Sequence, residues 1–270
     1  MFEVIQNNEA MYRICLFSIV LIIFVLWELF SPRHIRFHSR WSRWPNNLGM
    51  MGLNTVILRF LSPIAAIGIA TNASAYGWGI FNLVQLPLWL ELILAVILLD
   101  ASIYFQHKMF HAVPILWKVH RLHHTDIDFD VTTGVRFHPI EIILSMLIKF
   151  FVIILLGIHP VAVIFFEILL STTALFTHAN ISLPTVVERN IRLFIVTPDM
   201  HRVHHSIDSD EMNSNYGFCL PWWDHLFGTY CAQPKKGHKK MIFGTSQFRS
   251  PKEQRFINLL IQPMKDKSQH

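Results

Sequence analysis

The sequence predicts an all-α protein, an integral membrane helical bundle of about five segments that carries a helical cap. Three observations predict it. Of 270 residues, 52% are hydrophobic and only 15% charged, far below the roughly 25% charge of a soluble domain. The apolar residues form runs of membrane-spanning length, and a helix satisfies its own backbone in lipid. The 16 histidines cluster beyond the ends of those runs, in a polar region large enough to form a cap. The same composition argues against disorder, because a chain this apolar has ample surface to bury. Cys15, Cys219 and Cys231 are odd in number and show no paired spacing, so neither a disulfide framework nor a thiolate metal site is expected.

The elements follow in order. The run 11–30 is too long for a signal-peptide core, lacks a small-residue cleavage site and precedes Arg33, Arg36, Arg40 and Arg43, so it reads as an uncleaved anchor. A second span is expected over 48–70 and a third over 86–105, separated by the uncharged loop Tyr76, Gly77, Trp78 and Gly79. A polar, histidine-rich segment, 107–138, comes next. Two apolar runs of seventeen residues, 140–156 and 161–177, joined by Gly157, Ile158, His159 and Pro160, predict a membrane hairpin. The tail 248–264 mixes Phe256, Ile257, Leu259, Leu260 and Ile261 with Arg249, Lys252 and Arg255, the pattern of an interfacial amphipathic helix.

A formal charge of +5 suits nucleic acid or the cytoplasmic side of a membrane protein, and position separates the two. Threaded through these spans, twenty of the 23 Lys and Arg fall on one side. Arg13, Arg59 and Lys149 lie at or within the helices. No nucleic-acid partner is expected; the N-terminus faces out, and the histidine clusters face the cytoplasm. Lys149 and Glu167 lie about equally far from the hairpin turn and are expected to pair across it. Arg59 and Glu91 have no clear partner in sequence.

The histidines carry the chemistry. They form His107-Lys-Met-Phe-His111, His120-Arg-Leu-His123-His124 and His201-Arg-Val-His204-His205. A His-x-x-His-His is expected by chance about 0.06 times at this composition, and it occurs twice. At helical spacing each group turns two or three imidazoles to one face, and neutral imidazole ligates iron, zinc, copper or nickel. Eight clustered histidines exceed one four-coordinate ion, so two metals are expected. His34, His38, His159, His225, His238 and His270 read as surface or core residues. The rival class is a histidine-based metal transporter or a non-catalytic metal-binding membrane protein. A transporter's ligands belong near the bilayer midplane, whereas these clusters lie beyond the helix ends, where a lipid is reached.

The order of these motifs, with His178 after a membrane hairpin, resembles the fatty acid hydroxylase and sterol desaturase superfamily of membrane-bound, histidine-rich di-iron oxygenases. Supporting segments are Arg136-Phe-His-Pro-Ile-Glu141, His178-Ala-Asn180, Pro198-Asp-Met-His-Arg-Val-His-His-Ser206, Asn215-Tyr-Gly217 and Trp223-Asp-His-Leu-Phe-Gly-Thr-Tyr230. The stretch Asp128-Phe-Asp-Val-Thr-Thr133 is most similar to the bacterial sterol desaturase-like branch.

The resemblance implies two irons with O2 as co-substrate, held by His107, His111, His120, His123, His124, His178, His201, His204 and His205. Fatty acid hydroxylases proper carry a further histidine where Ala174 stands. His138 is either the tenth ligand or a structural residue before Pro139. Asp224, then Asp100, then Asp199 and Asn180, are expected to accept hydrogen bonds from ligand imidazoles. The implied reaction hydroxylates or desaturates a membrane lipid, a sterol, fatty acyl or alkyl chain. No ferredoxin-like cysteine run, dinucleotide fingerprint or His-Pro-Gly-Gly is present, so a separate donor, ferredoxin or cytochrome b5 type with its reductase, is expected. The organisation expected is N-terminal helices and basic loop over 1–98, a catalytic domain over 99–232 that includes the hairpin, and a basic amphipathic tail over 233–270. The protein would sit in a bacterial inner membrane, or the endoplasmic reticulum if eukaryotic.

Overall fold

The computed structural model describes residues 9–62, 65–84 and 86–265. The long helices are α1 (Glu9–Phe30), α2 (Arg40–Leu61), α3 (Ala65–Ala75), α5 (Leu88–Ala112), α7 (Pro139–Leu156) and α8 (Pro160–His178), with α4 (Ile80–Val84) and α6 (Pro114–His124) between them. The cap adds α9 (Thr185–Ile191), α10 (Pro198–His204), α11 (Ser209–Met212), α12 (Trp222–Leu226) and α13 (Phe256–Leu260). Among the described residues there is no sheet, only two isolated bridges. Five segments are long and apolar enough to cross a membrane: α1, the α2–α4 stretch, α5, α7 and α8. The chain is a multi-pass, all-helical membrane protein.

The hairpin is the central post. Both arms begin with His-Pro, and in each the imidazole Nδ1 accepts from a backbone N–H two residues on, His138 from Ile140 and His159 from Val161, both at 3.2 Å. Proline at the first helical position lacks only a donor that would be unused there. At the turn, Gly157 has φ +70° and Gly79 lies against it; a Cβ on Gly79 would come within 2.1 Å of the Gly157 nitrogen. Glu91 accepts from His159 N at 2.6 Å, which gives Glu91 its partner. Ala66, Ala70, Ala95 and Ala162 lie at the centre of the membrane core with Leu99, Val163 and Phe166, small residues that let helices approach closely. Lys149 pairs with Glu167 at 2.7 Å across the hairpin, as expected, and Arg13 of α1 joins the same carboxylate.

Four elements differ from the sequence reading. The span expected over 48–70 is broken: α2 stops at Leu61 with Ser62 as its cap, and Ser62 precedes Pro63, which disfavours helical backbone at the residue before it. The third span runs on to Ala112, so His107 and His111 ride on a membrane helix. The basic loop is shorter than expected because α2 starts at Arg40, and Arg43, 1% exposed, points into the cap. There it meets Asp126 at 2.7 Å and Asp130 at 2.6 Å. Finally, the tail forms only α13 and a 3₁₀ turn, Gln262–Met264. Leu259 packs in a small core with Met50 and Leu122, and Arg121 donates to the carbonyls of Gln262 and Lys265 at 2.7 and 2.6 Å. Phe256, Leu259 and Leu260 of the tail are thus used by the cap, while Ile257 stays 64% exposed.

Candidate metal centre

Nine histidines converge in two buried groups. His107 and His111 of α5, His120 and His124 of α6 and His204 of α10 form one; His123, His178, His201 and His205 form the other, and within each group one nitrogen per ring lies within 4.8 Å of every other. The helical period decides the partition. In each His-x-x-His-His segment the outer pair, four apart, serves one group and the middle residue the other: His120 and His124 against His123, His201 and His205 against His204. α6 and α10 thus lie between the two groups.

Hydrogen bonds at the far nitrogen set four of the rings. Nδ1 of His107 donates to the Tyr216 carbonyl at 2.9 Å, that of His204 to the Ser214 carbonyl at 2.8 Å, and that of His178 to the Ala174 carbonyl at 2.8 Å. His120 Nδ1 lies 2.6 Å from Glu141 Oε1. A carbonyl or carboxylate only accepts, so these protons sit on Nδ1 and each Nε2 presents a lone pair. For His107, His120 and His204 that Nε2 is buried and meets no hydrogen-bond partner among the described residues. Three acceptors facing one another without a donor suit a cation. In the second group, Nε2 separations are 3.1 Å for His123 and His178, 3.0 Å for His178 and His201, and 3.3 Å for His201 and His205. Those match the edges that a ligand shell with metal–nitrogen bonds of about 2.0–2.1 Å would have. The residues fit two metal ions.

The rings are held in the ligating form. Burial, then repulsion among neighbouring imidazoles, pushes His123, His124, His201, His204 and His205 well below the usual 6.5. They are neutral at pH 7 in the fold, whereas the unfolded chain protonates them below about 6.5. The unfolded state then binds more protons, so stability is full above that pH and falls with acidification, by up to about 1.4 kcal/mol per pH unit for each histidine. Chelator-treated protein should melt at steadily lower temperature from pH 7.5 to 5.5. A flat melting temperature over that range counts against buried neutral histidines.

Several expected residues lie elsewhere. His138 is outside both groups: its Nδ1 caps α7 and its Nε2 donates to the Leu260 carbonyl at 3.1 Å, the twin of the His159 cap. The four polar residues expected on ligand imidazoles touch none, and this corrects the sequence reading. Asp224 accepts from Tyr216 N and Gly217 N at 2.8 Å, and Asp100 from Cys219 N at 2.9 Å, Leu220 N at 3.0 Å and Trp223 Nε1 at 2.9 Å. They fold the loop whose Ser214 and Tyr216 carbonyls orient His204 and His107, so backbone does the orienting and the acids hold the backbone. Asp199 pairs with Arg33 and Arg202, and Asn180 clasps the His34 backbone at 2.9 Å on both its N–H and its carbonyl. His34, His38, His159, His225 and His238 stand apart from both groups, and His270 lies outside the described residues.

Glu141 is the carboxylate that sequence reasoning passed over, although it ends a quoted segment. Glu141→Ala should lower metal affinity about 10–100-fold, with Glu141→Gln, which keeps an acceptor, falling between. Metal retained per chain against graded chelator reads this, and equal retention in all three proteins refutes the role. Gly134 is also needed: a Cβ there would lie 2.7 Å from the Ala174 carbonyl and 3.1 Å from His178 Nδ1, crowding the bond that orients His178.

A pocket of about 150 Å³ opens onto both groups. Ile103 of α5, Ile142 of α7, Leu170 of α8 and Phe218 form apolar walls, and His107, His120, His123, His178 and His201 form its polar end. Further polar lining comes from Glu141 and from Gln106, which donates to Ser145 Oγ at 2.7 Å. The groups lie at the cap ends of α5 and α8, away from the midplane where a transporter would hold its ion.

Comparison with known proteins agrees with this geometry. A family described as fatty acid hydroxylase matches residues 92–229. An ornithine lipid hydroxylase of Rhizobium tropici is 30% identical over 173 residues, 64% of this chain and 51% of that protein. Alkylglycerol monooxygenases of Xenopus tropicalis and Homo sapiens are 28% and 27% identical, covering 70% and 72% of this chain and 42% of each relative. The chain therefore spans about half, or less, of the length of these relatives. No solved structure matches it.

Proposed function

Because the chain belongs to the fatty acid hydroxylase family, we propose that it is a membrane-embedded oxidoreductase that inserts oxygen into a C–H bond of a membrane lipid. The observation that carries this is the set of three buried, partnerless Nε2 lone pairs of His107, His120 and His204, which share one histidine group, with His107 and His120 lining the polar end of an apolar pocket. Both groups of relatives are named for oxygen insertion, a hydroxylase and monooxygenases, which favours hydroxylation over desaturation.

His107, His111, His120, His124 and His204 would hold one iron, and His123, His178, His201 and His205 the other. Two bound irons would supply the activation of O2 that breaking an unactivated C–H bond requires, since acid–base groups cannot do it. The chain's own part is positioning. Ile103, Ile142, Leu170 and Phe218 accept an aliphatic chain from the bilayer and align it with the histidines, where a displacement of about 1 Å matters. Glu141 and the Tyr216, Ser214 and Ala174 carbonyls keep the imidazole protons on Nδ1. The catalytic unit is 99–232, completed by Arg43 and the tail, and the cap faces the cytoplasm, the side on which most Lys and Arg fall. There a ferredoxin- or cytochrome b5-type donor with its reductase would deliver electrons to a basic surface, with Lys236, Lys239 and Lys240 beside Lys235, which is already paired with Asp208 and Asp210.

The test is lipidomics of cells expressing the protein or its His204→Ala variant. A lipid pair differing by one oxygen, present only with the unaltered protein, is expected. Metal flux into proteoliposomes without any oxidised lipid overturns the reading.

A further inference from the structure

A second cavity, of about 310 Å³, lies between α1, α2, α3 and the hairpin. It is on another face of α7: Ile142 and Ser145 line the histidine pocket, whereas Met146 and Lys149 line this one, and residues 145 and 146 are about 100° apart around a helix. Arg13, Arg59, Lys149 and Glu167 supply its charges, with Thr55 and Ser62 as hydroxyls. Glu167 is 5% exposed and is engaged by Lys149 and Arg13. The lining cation that Glu167 does not engage is Arg59, and it lies within a membrane-spanning segment, where charge is expensive unless paired. Arg59 is exposed and forms no ion pair or hydrogen bond among the described residues.

We propose that this cavity binds the phosphodiester group of an anionic phospholipid. Charge selects an anion. Position selects a lipid: Asn54 of α2 donates to the Phe137 carbonyl at the cap end of the hairpin, and Arg59 lies five residues, about 7.5 Å of helix, further on. A guanidinium there reaches a phosphate at the cap-side surface. Acyl chains then have apolar surface to follow: Ile14 of the lining is 62% exposed, and Val56 and Phe60, the sequence neighbours of the lining residues Thr55 and Arg59, are 53% and 84% exposed. The site is separate from the histidines, so its test needs no turnover.

Thermal melts of the full chain in neutral detergent decide it, with added phosphatidylglycerol, phosphatidylcholine or inorganic phosphate. Phosphatidylglycerol should raise the melting temperature by about 4 °C more than phosphatidylcholine, and inorganic phosphate should not. Arg59→Gln should lose that increment while melting normally in phosphatidylcholine, and Arg59→Lys should keep most of it. The proposal is overturned if Arg59→Gln retains the increment, if inorganic phosphate reproduces it, or if it vanishes only when Lys236, Lys239 and Lys240 on the cap are neutralised together.

Discussion

His204→Ala and His201→Ala should each leave about one metal ion per chain instead of two, and each should depress lipid oxidation by about 100-fold or more. The two residues are three apart on α10, yet His204 faces the group containing His107 and His201 the group containing His178. Each variant should therefore empty a different site. Removing His204 also frees the Ser214 carbonyl that its Nδ1 engages at 2.8 Å, whereas His201 has no such tie. Metal per chain by elemental analysis, with spectroscopy of the remaining ion, separates the two outcomes. If both variants lose all metal together, or if either retains two ions, the assignment of alternate histidines to separate sites is wrong.

Arg43→Leu should be the most damaging change away from the histidines. Its guanidinium is 1% exposed and is shared by Asp126 and Asp130, while Asn47 and Thr133 complete the shell of Asp126. Burial raises the Asp126 pKa, but Arg43 and Arg136 outweigh that and hold the carboxyl well below its ordinary range. Removing Arg43 leaves buried carboxylates without their main counter-charge, a loss of about 3–5 kcal/mol. It also unties α2 from the segment that carries His123 and His124 into the site. Unfolding in denaturant should show a midpoint well below that of the unaltered protein. Lys235→Ala, which breaks an exposed pair with Asp208 and Asp210, should leave the midpoint unchanged. Equal effects of the two substitutions would show that the cap does not depend on Arg43.

The division between sequence and structure follows the range of each interaction. Spans, hairpin and histidine clusters are written in local patterns: apolar runs have bilayer length, and imidazoles three and four apart share a helix face. The Lys149–Glu167 pair is legible too, because a hairpin fixes which depths face each other. Which histidine of a His-x-x-His-His turns to which site is not local. It depends on α6 and α10 lying between two groups brought in by α5 and α8. The orienting acceptors are mostly backbone carbonyls, at Ala174, Ser214 and Tyr216, and a carbonyl has no sequence signature. Asp224 and Asp100 looked like imidazole partners because nearby acids often are, but they fold the loop instead. His138 looked like a ligand by residue type, and packing made it a helix cap.

The sequence alone thus determined a five-span helical membrane protein with eight histidines at metal-binding spacing, to which the family resemblance added His178. Tertiary structure decided their partition into two sites, the partners that orient His107, His120, His178 and His204, the burial of Arg43 and the docking of the tail. The physical reason is that helical period and hydropathy are properties of neighbouring residues, whereas the charge pairing of Arg43 and the closure of the cap join segments 83 and 141 residues apart, and ring orientation depends on carbonyls that folding brings to each imidazole.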